Sequence, residues 1–277
     1  MRAATIVALT ATLATTSACR ENEEPLTAGE ALQALEESAV SAQASNLVSG
    51  SIEVTTDFTI GGAVEAAAEE IRTFVETQLP CAEVTLTGSK LEVEYGVNPG
   101  NCKYNGHTYS GSHTVEVEAN DEGKVVVSHN WNALSNGLVS VSGDATVTWS
   151  LQNESRRIEH ELHWASLTSN VEGTGFGDRT QTALNGNLFE GIEIDGSRSW
   201  SGRRGTWNLD IDTVQMRWAD PVPQSGAYTL TNPDDKRMSL AFERLDDNTI
   251  TVTIAGTKRS FSFDVTAAGQ IEEGGGV

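Results

Sequence analysis

Five histidines, three cysteines and a small group of arginines are the side chains of this chain with the greatest chemical reach. The histidines are His107, His113, His129, His160 and His163. His160 and His163 lie in Ile158-Glu159-His160-Glu161-Leu162-His163-Trp164. In an extended chain, Ile158, His160, Leu162 and Trp164 share one face, and Glu159, Glu161 and His163 share the other. On that apolar face His160 reads as a core histidine with a hydrogen-bond partner, not as a ligand. The segment also lacks the pair of histidines, one helical turn apart, that a zinc protease uses. His107 and His113 share a face but are too far apart to grip one ion without a bend. Asp210/Asp212, Asp234-Asp235 and Asp246-Asp247 do not follow the calcium-loop pattern, and read as turn and surface carboxylates. Arg198, Arg203 and Arg204 cluster around Trp200 and Trp207. They could bind an anion or a stacked sugar; the expected role is to offset carboxylates on neighbouring strands. With no G-x-S-x-G elbow, P-loop or paired-carboxylate motif, no catalytic residue, metal or other cofactor is expected, and the chain reads as non-enzymatic.

The elements that must position these residues change character along the chain. Thr27 and Glu30 have the spacing of a capping box. They predict a helix over 27–45, with Leu32, Leu35, Ala39 and Ala42 on its apolar face. A strand from Leu47 to Phe58 is expected next, ending at Gly61-Gly62. A second helix is predicted over 63–79, with Val64, Ala67, Ala68, Ile71, Phe74 and Val75 as its stripe, stopped by Pro80. From Glu83 onward the period is two. Leu91, Val93 and Tyr95 alternate with Glu92 and Glu94, and the same pattern recurs through Val147-Trp149, Trp207-Leu209-Ile211, Ile250-Val252-Ile254 and Phe261-Phe263-Val265. Turn signals separate the runs: Asn120-Asp121-Glu122-Gly123, Asn136-Gly137, Asn232-Pro233-Asp234-Asp235 and Asp246-Asp247-Asn248. Roughly 12 to 14 strands with short connections imply an antiparallel meander. Recurrent Ser/Thr/Asn-Gly pairs, such as Ser110-Gly111 and Ser142-Gly143, read as bulges or bends in a curved sheet. The expected fold is mainly β: a large curved antiparallel meander, as half-barrel, barrel or sandwich, with two N-terminal helices in a single domain over 27–267. Residues 268–277 read as a flexible Gly-rich tail.

The start of the chain carries an address. Met1-Arg2 is followed by sixteen uncharged residues, Ala3 to Ala18. A positive start, a short apolar core and small residues at its end are the grammar of a secretory signal. The end, Leu13-Ala14-Thr15-Thr16-Ser17-Ala18-Cys19, resembles the lipobox of bacterial lipoproteins, with Thr16 where that family usually carries Leu, Val or Ile. The resemblance implies removal of residues 1–18, lipidation of Cys19, a short acidic tether over 19–26, and a protein held at a membrane by its acyl chains. Arg20, in place of an Asp, favours the outer membrane on the same resemblance. The alternative is ordinary cleavage after Ala18, which would release a soluble protein. With Cys19 as the anchor, Cys81 and Cys102 remain as a pair, and an exported chain with an even remainder favours one disulfide.

The formal charge is −21, and losing Arg2 with the signal takes it to −22. A field of that sign repels phosphate backbones, so nucleic-acid binding is excluded. A flat sheet of thirteen strands would be on the order of 60 Å wide, while two helices cover about four strands. The rest of one apolar face must be hidden by curvature, or by an apolar ligand. The order of elements, a helix near the start and then a long meander, is similar to that of helix-lidded half-barrels that ferry lipids or lipoproteins. Trp149, Trp164, Trp207, Trp218 and His160 are the candidates to line such a cavity, with packing into an ordinary core as the plainer account. The functional expectation is therefore a membrane-anchored binding or structural protein of the cell envelope, with an envelope protein or an apolar ligand as partner. The second reading makes it a carrier of lipid.

Overall fold

The computed structural model describes residues 24–266 and 271–272, apart from 56–60, 105, 122, 151, 187–190, 218–219 and 247–248. The signal segment and Cys19 lie outside the described residues. Two helices come first, α1 (Ala28–Val54) and α2 (Val64–Gln78). The strands follow: β1 (Glu83–Thr87), β2 (Lys90–Tyr95), β3 (Lys103–Tyr104), β4 (His107–Thr108), β5 (Ser110–Asn120), β6 (Val125–Ser135), β7 (Val139–Ser150) and β8 (Ser155–Ser166). The second half adds β9 (Glu172–Ala183), β10 (Ile192–Gly202), β11 (Gly205–Arg217), β12 (Asp220–Thr231), β13 (Arg237–Arg244), β14 (Thr249–Ala255), β15 (Ser260–Thr266) and β16 (Ile271–Glu272). All but β3 and β4 form one antiparallel 14-stranded sheet in chain order, as the two-residue period and short turns require. β1 pairs only with β2 and β16 only with β15 among the described residues, so the sheet is open. Ile271–Glu272 continue it within the stretch expected to be a flexible tail.

The capping box is present: the Glu30 backbone N–H donates to Thr27 Oγ1 at 3.2 Å, and the Thr27 N–H donates to Glu30 Oε2 at 2.8 Å. Where a strand is expected from Leu47, α1 continues instead to Val54; residues 56–58 of the expected strand lie outside the described residues. Ala44, Leu47, Val48, Ser51 and Ile52 recur at helical spacing, and all five are buried. That packing overrides the β propensity of the Val- and Thr-rich segment. The buried face of α1 also differs from the expected one. Ala31, Ala34 and Leu35 point inward, whereas Leu32 is 38% exposed. In α2 the expected stripe holds, with Ala67, Ala68, Ile71 and Val75 buried.

At 1.5 Å per residue, α1 is about 40 Å long, close to the width of eight strand spacings. Its contacts show that it lies across the strands. Leu26, expected to belong to a free tether, is buried against Gly256 in the β14–β15 turn. Glu30 pairs with Lys236 in the β12–β13 turn at 2.5 Å. Glu36 pairs with Arg204 in the β10–β11 turn at 3.1 Å. Ser51 accepts a hydrogen bond from Trp131 Nε1 of β6 at 2.9 Å. Helix α2 covers β1, β2 and β5. Glycines let the long strands bend. Gly143 and Gly196 have φ of +143° and +130°, and a Cβ on either would lie 2.2 Å from a carbonyl oxygen of the adjacent strand.

Cys81 and Cys102 are bonded, with Cα atoms 5.3 Å apart. The bond ties the end of α2 to the segment leading into β3. Converting both to Ser is expected to cost about 3 kcal/mol, because the bridge closes a loop of 21 residues in the unfolded chain. Denaturant unfolding of the double variant measures that loss. Thiol counting on the unfolded, unreduced mature protein is expected to find neither of these two cysteines free.

Candidate binding site beneath the long helix

Register places the inward side chains of β6 to β12 in cross-strand rows beneath α1. One row runs Trp131, Gly143, Leu162, Gly175, Trp200, Trp207. The next runs His129, Ala145, His160, Gly177, Arg198, Leu209. A third runs Val127, Val147, Ile158, Arg179, Gly196, Ile211, Tyr228. The glycines of β9 are there because neighbouring rings lie over that strand. A Cβ on Gly177 would sit 2.3 Å from His160 Cε1, and one on Gly173 would sit 2.8 Å from Trp164 Cζ2. The indoles of Trp200 and Trp207 stack at 6.3 Å.

At the β5–β6 side a buried polar chain is complete. Tyr95 Oη lies 3.4 Å from His113 Nδ1, and His113 Nε2 lies 3.0 Å from His129 Nδ1. Trp131 stacks on both imidazoles. Burial holds His113 well below the ordinary imidazole range, helped by His129, and holds His129 at about 3. Arg156, on β8, is also satisfied. It pairs with Glu53 of α1, donates from Nε to Gln181 Oε1 at 2.7 Å, and lies 5.0 Å from the centre of the Trp149 ring.

Toward β8–β11 the hydrogen-bond accounting fails to close. The buried polar atoms without a partner, among the described residues, include His160 Nδ1, Trp164 Nε1, Trp200 Nε1, Trp207 Nε1, Arg179 Nε and Nη2, and Arg198 Nε. On α1, Glu37 Oε2 and Ser38 Oγ are also buried without a partner. The set is dominated by N–H donors. A crevice of about 10 Å³ between Ser41, Ala44 and Ser45 of α1 and His160, Trp164 and Arg198 of the sheet has room for about one water. Burial lowers the His160 pKa to about 3, with Arg179 and Arg198 adding to the effect. Arg179 itself is only 7% exposed. Burial, then the charges of Arg198 and Arg156, pull its pKa down to about 9.

Of the residues the sequence nominated, Trp149, Trp164, Trp207 and His160 lie on this one face; Trp218 lies outside the described residues. Two expectations change. His160 is buried as expected, but its Nδ1 lacks the predicted partner; the helix surface above it carries only the short side chains of Ser41, Ala44 and Ser45. The arginine cluster divides: Arg198 points into the interior, Arg203 donates to the Asn170 carbonyl, and Arg204 pairs with Glu36 and approaches Glu37 at 4.0 Å. The offsetting carboxylates thus come from α1 and not from neighbouring strands. His113 and His129 form a pair that the spacing along the chain did not reveal. Arg156, Arg179, Gln181 and Tyr228 were also missed. Their signal is phase: each falls on the inward beat of its strand, where an apolar residue is the rule.

On the outward face of β7–β11 is a hollow of about 640 Å³ lined by Asp144, Glu159, Glu161, Asp178 and Asp210. Arg157 donates to both Asp178 oxygens, at 2.8 and 2.7 Å. No group of His, Cys, Asp or Glu suited to holding a metal ion occurs among the described residues. No family model matches this chain, and neither curated proteins nor solved structures offer a match.

Proposed function

We propose that this chain is an exported protein of the cell envelope, tethered to a membrane through acylated Cys19, that binds and carries an apolar ligand without transforming it. The observation that carries the ligand assignment is a strip of aromatic and aliphatic side chains at the far end of the helix-bearing face. Tyr228, Leu240, Phe242, Ile250, Phe261 and Phe263 lie in register across β12–β15 and are only partly buried. Between them Val252, Ile254 and Val265 are buried, so the strip is continuous with the core; along β5 to β8 most inward positions, such as Val115, Val127, Val147 and Ile158, are fully buried. Partly covered aromatic surface continuous with a core is what an apolar ligand requires. The resemblance of Ser17-Ala18-Cys19 to a lipobox supports the address, and the charge of −21 argues against polyanionic partners.

Native mass spectrometry after mild extraction tests the assignment. The expected result is a lipid-like adduct in stoichiometric amount. A bare protein that also ignores an added apolar dye would remove the carrier reading.

A further inference from the structure

Two arginines and two glycines alternate on β9 and β10: Gly177 and Arg179 on one strand face Arg198 and Gly196 on the other. Each guanidinium therefore extends from a position whose cross-strand neighbour has no side chain. No carboxylate of the described residues pairs with Arg179 or Arg198, although the protein carries 39 acidic residues. Arg179 is more than nine-tenths buried, with Nε and Nη2 unpartnered. Burying an unpaired charge is among the most costly arrangements in a protein, so a counter-anion is the natural complement. Tyr228 adjoins both arginines and packs edge-to-face on Phe242, with ring centres 5.4 Å apart. Phe242 faces Val252, which in turn faces Phe263. The two arginines are thus linked through Tyr228 to the apolar strip.

We propose that Arg179 and Arg198 bind the oxyanion head of an amphiphile, a carboxylate or phosphate, whose apolar chain lies along the Tyr228–Phe242–Phe263 strip. The identity of the chain's resting place depends on the carrier reading above; the anion site does not. An oxyanion accepts several N–H donors at once, which is what two adjoining guanidinia with unmet hydrogens offer. The crevice under Ser41, Ala44 and Ser45 is too small for such a head beside Arg198, so binding requires the middle of α1 to lift. Its small and polar inward side chains there make that the least costly part of the helix to move.

The test uses the full chain carrying Cys19→Ser, purified without detergent, and its Arg179→Met variant. Dodecanoate and dodecyl phosphate are expected to bind about tenfold or more tighter than dodecanol. Arg179→Met is expected to lose that preference while binding dodecanol within about twofold of the parent. It should also melt at the same temperature as the parent or higher when no ligand is present, because an unpaired buried charge has been replaced by an apolar chain. A structural arginine would do the opposite, and a lower melting temperature with unchanged dodecanoate affinity overturns the proposal. Equal affinity for dodecanoate and dodecanol in the parent overturns it too, and leaves the carrier reading standing. If neither amphiphile binds but inorganic phosphate or acetate raises the melting temperature of the parent and not of the variant, the anion site stands and the carrier reading falls. If none of these ligands binds the parent, both fail.

Discussion

Acidification from pH 6.5 to about 5 is expected to destabilise the fold by about 5 kcal/mol, an effect as large as the whole stability of many domains. The cause is three buried imidazoles. His113, His129 and His160 are 1%, 3% and 8% exposed. Burial holds His129 and His160 at about 3 and His113 well below 6.5. In the unfolded chain all three take up protons near pH 6.5. Below that pH the unfolded state binds more protons than the folded one, so stability falls as pH falls, down to the folded-state values near 3. Each imidazole contributes about 1.4 kcal/mol per pH unit, and three give about 4 once the unfolded chain is fully protonated.

Two carboxylates modify this. Glu30, lowered to about 2 chiefly by its bond to Lys236, loses stability only as pH falls below its ordinary value of 4.5. Glu37, raised by burial, works the other way: the fold gains stability as pH falls from that raised value toward 4.5. Protonating the surface carboxylates near their ordinary range also relieves repulsion. Between pH 6.5 and 5 the three histidines outweigh the single opposing carboxylate. Urea midpoints measured between pH 6.5 and 5 check this. His129→Gln should flatten the curve by about a third. A parent midpoint that does not move would mean that the imidazoles take up protons inside the fold.

Cys19→Ser is expected to transfer essentially all of the protein from the membrane fraction to the soluble fraction. No helix of the described residues is long and apolar enough to cross a membrane. The sheet has two unpaired edges among the described residues, and backbone edges of that kind are not tolerated in hydrocarbon. One of its faces is occupied by α1 and α2, and the other carries Glu92, Glu94, Glu116, Glu159, Glu161 and Asp178, all exposed. On the proposed anchoring, nothing among the described residues would hold such a body in a bilayer once the acyl chains are gone. Each buried methylene is worth about 0.8 kcal/mol, so several chains on one residue dominate partitioning. Fractionation of cells expressing parent and variant at matched levels gives the answer. A variant that stays with the membranes would refute the anchor.

Much of the architecture was legible in the residues. Alternation such as Leu91-Glu92-Val93-Glu94-Tyr95 specifies a strand and which side of it is buried, because successive side chains must point to opposite faces. Asn136-Gly137 and Asn232-Pro233 marked turns for local reasons, and Thr27 with Glu30 closed a helix end within a single turn. The helical path of Leu47 to Val54 was less plain. Its β-branched residues favour a strand, and only burial of Leu47, Val48, Ser51 and Ile52 against the sheet tips the balance.

The site belongs to the tertiary structure. Which residue of one strand meets which of the next depends on the register, and the bulges between Trp131 and Leu134 and between Ile194 and Gly196 reset that register. A shift of one residue would turn every later side chain to the opposite face. Alternation therefore determines that Arg179 and Arg198 each take one side of a strand. It cannot determine that they adjoin one another, or that Tyr228 completes the group from two strands away. By itself the sequence determined the strands, the turns, the staple and the expected anchor, because each follows from neighbours along the chain. Only long-range pairing and the helix laid across it decided where the unmet donors gather, because that is a property of residues brought together from four strands and α1.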